Sequence, residues 1–233
     1  MNGPALPTDP LLRGVMFNGT LAFVAGYVDV VGFVALFGLF TAHVTGNLAL
    51  IGAQIAAQSA GGVIAKLLAL PVFMLLVAMV RLLVLHLERV GRDTLRPVLL
   101  LELIGLTLFL VVSLEARRSE DPDALIVILA GMTGVAAMAI QNAGGRLVLA
   151  NHPSTTAMTG NMTQFVIDLV DILRGGSAAG EAVRKRFAQI GPALLIFTVG
   201  ALAGAAAYAF LSFWCLLIPI AAILALTIAA PGK

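Results

Sequence analysis

The chain has 233 residues, 60% of them hydrophobic and 11% charged, with a formal net charge of +2. A soluble domain carries about 25% charged residues, so this composition excludes a water-soluble globule and implies the lipid bilayer as first partner. The small net charge, without any Lys/Arg-rich stripe, excludes nucleic acid.

Residues 1–14 read as a polar, cytoplasmic N-terminal tail without the basic and apolar regions of a signal peptide. Six apolar runs follow: Met16–Phe40, Ile64–Leu87, Val98–Leu114, Ala124–Leu149, Ile190–Leu211 and Phe213–Ala230. Each is about long enough to cross a hydrocarbon layer of roughly 30 Å. In lipid a single crossing must be helical, because only a helix satisfies its own backbone. The expected fold is therefore an all-α membrane protein of about six transmembrane helices. Two shorter segments, Asn47–Ala57 and Met162–Leu173, are too short to cross alone.

Each short segment follows the same signature. The first is Thr41-Ala-His-Val-Thr45-Gly46-Asn47, and the second is Thr155-Thr-Ala-Met-Thr159-Gly160-Asn161. Both read T-x-x-x-T-G-N, 114 positions apart. Each lies between a long apolar run and a short one, which points to an internal duplication. Residues 15–115 then form one repeat and 124–233 the other, joined by an outer linker at 116–123. Pro71 and Pro192 lie in comparable elements. Each half holds three crossings, an odd number, so the second half inserts upside down relative to the first.

The charges give an independent reading. With the N-terminus inside, Arg13, Arg89, Arg92, Arg96, Arg146, Arg174, Arg184, Lys185, Arg186 and Lys233 fall at cytoplasmic ends, against Lys66, Arg117 and Arg118 outside. This is the positive-inside asymmetry, and it places both termini in the cytoplasm. Arg81, within an apolar run, can snorkel to the inner face.

A short helix starting at T-G-N reads as re-entrant or broken. Thr45 and Thr159 are N-cap residue types, and Gly46 and Gly160 allow a sharp turn. The free N–H groups and positive dipole ends would then face the protein interior, where they favour an anion or an oriented polar solute. Broken helices from inverted repeats that meet at the midplane are a transporter plan. The packing alternative is that T-G-N only caps a kink and lets helices approach closely.

Asp29 lies near the middle of the first run, where a carboxylate must be paired, hydrated or protonated. It is the candidate proton carrier or cation ligand. Gln141 and Asn142 hold the comparable stretch of the second half and suit a polar wall. With Thr41, Asn47, Thr155 and Asn161, they complete the candidate substrate-binding set. Other polar residues carry structural readings. Glu102 and Arg81 can form an ion pair. Asp168 and Asp171 read as interface charges beside Arg174. Gly200-x-x-x-Gly204 is a packing face, or a dimer face if the chain is a homo-oligomer. His43 and His152 have no second ligand at i+4, so no metal site is expected. Cys215 has no partner for a disulfide. No P-loop, G-x-S-x-G or H-E-x-x-H motif is present, so neither an enzyme nor a cofactor is expected.

Gly26-Tyr27-Val28-Asp29, Phe37-Gly38-Leu39-Phe40 through Thr45-Gly46-Asn47, Gln141-Asn142, and Thr155-Thr156 through Thr159-Gly160 resemble the YoaK (DUF1275) family of small bacterial membrane proteins. The likeness covers nearly the whole chain. It implies a multi-pass inner-membrane location and the helix count, and it supplies no substrate. The expected function is a secondary transporter or channel-like protein for a small polar or anionic solute, proton-coupled through Asp29. The alternative is a non-transporting assembly or sensor protein.

Overall fold

The computed structural model describes residues 10–57, 61–150, 152–175 and 180–230. All secondary structure among them is helical: α1 (Pro10–Ala35), α2 (Val44–Ala56), α3 (Val63–Arg89), α4 (Leu95–Ala116), α5 (Leu125–Leu147), α6 (Met158–Arg174), α7 (Glu181–Leu211), a 3-10 turn (Ser212–Leu216) and α8 (Leu217–Ala229).

The first apolar run does not continue as helix to Phe40. α1 begins earlier, at Pro10, inside the expected tail, where proline's missing N–H costs nothing. It ends at Ala35 because Phe37 and Gly38 take positive φ, 53° and 78°. Gly38 N–H closes the end by donating to the Phe33 carbonyl at 2.9 Å. Lys66, expected as an outer charge, is instead buried. Its Nζ donates to the Phe37 carbonyl at 2.8 Å and to the Gly62 carbonyl at 3.3 Å, so it caps this break.

Five helical stretches are long and apolar enough to cross a membrane: Met16–Ala35, Val63–Arg89, Leu95–Ala116, Leu125–Leu147 and Glu181–Ala229. The last spans 49 residues and merges the final two apolar runs, interrupted by the 3-10 turn, where Ser212 has φ 50°. α7 also begins well before Ile190, taking in the charged residues from Glu181. Large apolar side chains such as Leu67, Met74, Met79 and Leu82 of α3 are exposed, as expected for a helix whose outer face meets lipid rather than water.

α1 sits at the centre. Tyr27, Val28 and Val31 are fully buried, and the Tyr27 hydroxyl donates to the Cys215 carbonyl at 2.9 Å. α1 packs most extensively on α7, and α5 packs on α3 and α4. The α1–α7 contact is backbone on backbone: Gly26 faces the Phe197 carbonyl, Gly200 the Phe23 carbonyl and Gly204 the Tyr27 carbonyl. The Gly200-x-x-x-Gly204 face is therefore used within the chain and does not offer a dimer surface.

Two further structural expectations are corrected. Glu102 forms no ion pair with Arg81. Glu102 is buried, whereas the Arg81 side chain is exposed. Asp168 is not an interface charge beside Arg174. It is buried and accepts two bonds from Arg186, from Nε at 2.8 Å and from a terminal nitrogen at 2.5 Å, and a third from Gln164 Nε2 at 2.8 Å. The Arg186 guanidinium holds the Asp168 carboxyl below the usual carboxylate range. This pair clamps α6 to α7.

Candidate functional site

The segments between α1 and α2 and between α5 and α6 are non-helical, and the same device rigidifies both. Asn47 is buried, and its amide takes both backbone groups of one residue: Oδ1 accepts from Phe40 N–H and Nδ2 donates to the Phe40 carbonyl, each at 2.9 Å. Asn161, 114 positions on, donates from Nδ2 to the Ser154 carbonyl at 2.6 Å. Ser154 is likewise 114 positions after Phe40. The asparagine of each T-G-N thus staples the loop seven residues upstream onto its own short helix.

A second correspondence concerns the two backbone amides just before each short helix. In the first half Asp29 Oδ1 accepts from Ala42 N–H at 2.6 Å and His43 N–H at 3.2 Å. Asp29 Oδ2 lies 2.6 Å from His43 Nδ1. In the second half the equivalent amides, Thr156 and Ala157, donate to Ser154 Oγ at 3.4 and 3.0 Å. The long helices reach these loops through side chains 14 positions upstream: Asp29 to His43, Gln141 Nε2 to Thr155 Oγ1 at 2.9 Å, and Asn142 Nδ2 to Thr156 Oγ1. Gln141 Nε2 also donates to the Leu21 carbonyl of α1 at 2.8 Å, joining the halves. Thr41 donates to the Val28 carbonyl at 3.3 Å.

The short helices begin at N-cap positions two residues earlier than the expected Thr45 and Thr159. The N-cap positions are His43 and Ala157, and neither helix end carries a side-chain cap bond. Thr45 and Thr159 are first-turn residues rather than caps. Both uncapped ends line one cavity of about 350 Å³, walled by Ala42, His43, Val44 and Thr45, by Asn142 and Thr156–Gly160, and by Leu70 and Phe73 of α3. Among the described residues, no carboxylate lines it. His43 is held with Nδ1 against Asp29, which leaves Nε2 as the unengaged ring nitrogen.

Of the residues singled out from sequence, Thr45, Asn142, Thr159 and Gly160 line this cavity. Asp29, Thr41, Gly46, Asn47, Gln141, Thr155 and Asn161 do not. They form its supporting layer; their polar side chains bond to backbone and loop, except at Gln141 Oε1, which has no partner. His43, Thr156, Leu70 and Phe73 were not singled out as solute-binding. The 14-residue spacing from Asp29 to His43, repeated from Asn142 to Thr156, is the signal that could have found the two polar ones.

A second space of about 200 Å³ adjoins the first, sharing Asn142 and Thr156. Gly145, Arg146, Ala150, His152, Ser154 and Thr155 complete its walls. It lies at the C-terminal end of α5. Of the residues 114 positions earlier, Val28, Val31, Leu36 and Thr41 are buried in the core, and Thr41 fills the space beside Gly32. The polar vestibule of the second half thus has a packed counterpart in the first.

The chain matches the family described as "Protein of unknown function (DUF1275)" over residues 18–229. It is 30% identical over 152 residues to the UPF0700 transmembrane protein YoaK of Bacillus subtilis (strain 168). That alignment covers 64% of each protein, so the chain spans just under two thirds of this relative's length. No solved structure matches it. With apolar helices of spanning length and a family match running nearly end to end, the chain belongs to the DUF1275 family and is a multi-pass membrane protein.

Proposed function

We propose that the protein is a secondary transporter or channel-like protein for a small anionic or polar solute, bound in the cavity between the starts of α2 and α6. One observation carries this reading: two uncapped helix N-termini from corresponding halves share one cavity whose described side chains are apolar or neutral hydrogen-bonding groups, with His43 and without a carboxylate. First-turn N–H groups and the dipole ends both favour negative charge. Around 350 Å³ is at the small end for ligand sites, which suits a solute of a few heavy atoms.

The proposed architecture is six crossings in two inverted sets of three, with α2 and α6 as re-entrant helices and both termini cytoplasmic. The 13 residues of α8 and five of the 3-10 turn together reach about 30 Å, enough for the sixth crossing. On that topology the Arg146 vestibule opens to the cytoplasm and its packed first-half counterpart closes the outer route. Such asymmetry between repeats is what alternating access uses.

The test does not depend on knowing the solute. Single cysteines at Thr45 and Thr159, in a Cys215→Ala background, should react with a charged water-soluble thiol reagent from the cytoplasmic side. Formate, lactate or phosphate at millimolar concentration should slow that reaction and cross proteoliposomes, and Thr45→Val with Thr159→Val should abolish the flux. Cysteines at Ala57 and Arg174 should label from opposite sides. Unreactive cysteines at Thr45 and Thr159 would mean a dry, packed centre and favour the assembly or sensor role.

A further inference from the structure

Among the described residues, Glu102 of α4 is the one buried acid within the spanning stretches that the cavity and its supporting layer do not use. It is 1% exposed, and its Oε1 has no hydrogen-bond partner. Its Cα lies seven residues from the start of α4, about 10 Å into the helix. An ionisable side chain at such depth is costly and marks a functional site by default.

Packing fixes its level against the neighbouring helix. Gly105 lies against Ala137 and Gly144 against Val98, which sets one antiparallel register between α4 and α5. In that register Glu102 is level with Ile140, with Gln141 one residue along. Gln141 Oε1 is the other buried oxygen of this layer without a partner. The Nε2 of the same side chain holds Thr155 and the Leu21 carbonyl. The amide that ties the second T-G-N loop to α5 and α1 thus lies within one residue of the level of an acid with an unused oxygen.

Among the described residues, no charged side chain is paired with Glu102 from the elements packed on α4. α5 carries one ionisable side chain, Arg146, level with Arg96 and about 9 Å along the axis from Glu102. α8 carries none, and the 3-10 turn carries only the buried Cys215. Arg96 donates instead to the Ala230 carbonyl, from Nε at 3.0 Å and a terminal nitrogen at 2.6 Å. On α3, Arg81 points outward. A carboxylate here has nothing to offset its charge, whereas the neutral acid brings an O–H donor to a layer that lacks one.

We infer that Glu102 is a proton-binding site coupled, through Gln141, to the loop that walls the solute cavity. This deepens the transport reading and rests on it. Proton uptake leaves a neutral acid beside Gln141 and keeps the Thr155 loop tied to α5. Proton loss leaves a bare carboxylate that draws the Gln141 amide donors to itself and frees the loop. No bond other than O–H forms or breaks. Asp29, whose oxygens already accept two backbone amides and face His43, is a positioning residue on this account.

Two measurements test it. Infrared spectra of the protein in lipid at neutral pH should contain a protonated-carboxyl stretch that disappears in Glu102→Gln and persists in Asp29→Asn. In proteoliposomes, a pH gradient should drive lactate accumulation by the wild type and not by Glu102→Gln, while lactate exchange without a gradient survives in the variant. Absence of the carboxyl band, its persistence in Glu102→Gln, or gradient-driven uptake by that variant would each overturn the inference. If lactate, formate and phosphate move in neither protein, the transport reading fails and Glu102 is decided by the carboxyl band alone.

Discussion

Asp29 offers the sharpest perturbation, because its role is defined by three distances. Oδ1 accepts two backbone amides at 2.6 and 3.2 Å, Oδ2 holds the His43 ring at 2.6 Å, and the residue is 3% exposed. In Asp29→Ala the amides of Ala42 and His43 lose their acceptor where no other acid reaches them. Each orphaned donor costs about 1–3 kcal/mol, so the pair costs roughly 2–6 kcal/mol. At about 2–4 °C per kcal/mol for a chain of this size, the midpoint falls by roughly 6–12 °C for a loss near 3 kcal/mol. Asp29→Asn keeps Oδ1 as acceptor and puts an NH₂ opposite Nδ1, so it should lose only about 1 kcal/mol. Ser154→Ala, which removes the corresponding acceptor of the second half, should cost about 1 kcal/mol, since its bonds are neutral and longer. Thermal unfolding of the three variants in one detergent, followed by aggregation or tryptophan emission, gives the ranking. If Asp29→Asn falls as far as Asp29→Ala, the charge rather than the acceptor geometry is what this position needs, and its assignment as a positioning residue is wrong.

Two further predictions concern packing. Gly200→Ala should destabilise the α1–α7 contact by more than 2 kcal/mol, because the new methyl meets the Phe23 backbone, whereas Gly160→Ala, with open space around it, should leave the unfolding midpoint within about 2 °C of wild type. A drop with Gly160→Ala equal to that with Gly200→Ala would contradict the described packing. The Asp168–Arg186 clamp has a defined pH dependence. Because the folded-state carboxyl titrates below its unfolded value, its contribution is full above about pH 4 and is lost as pH falls through the folded value. Wild-type stability should therefore fall more steeply than that of Asp168→Asn between about pH 5 and 3, and parallel curves would exclude the clamp as the cause.

The helices were legible where the sequence is periodic in solvent preference. Runs of apolar residues located α3, α4 and α5 to within a few residues, because lipid imposes one rule along the whole run. The rule fails where backbone geometry decides instead. Phe37 and Gly38 end α1 inside an unbroken apolar run, and nothing in hydropathy marks that break. The repeat pointed to the right neighbourhood, yet it did not separate cavity wall from support. Asn47 and Asn161 stand out in sequence because they repeat, and they repeat because they staple backbone, a duty that buries them. His43 corresponds to Ala157 and Thr156 to Ala42, so neither carried a repeat signal, although both hold the cavity wall. Lys66, read as an outer charge, and Glu102, read as the ion-pair partner of Arg81, were both misread because only packing reveals that they are enclosed without those settings.

The different holders of the paired loop amides have a mechanical consequence. In the first half the acceptor, Asp29, belongs to the long helix, so the loop is bolted to α1 by an ionic anchor. In the second half the acceptor, Ser154, belongs to the loop itself, and only the neutral contacts of Gln141 and Asn142 fasten that loop to α5. One half is riveted and the other is latched. A latch made of neutral amides and hydroxyls yields more readily than a charged acceptor, so the second loop is the part that opens first, while α6 itself stays clamped to α7 by Asp168 and Arg186.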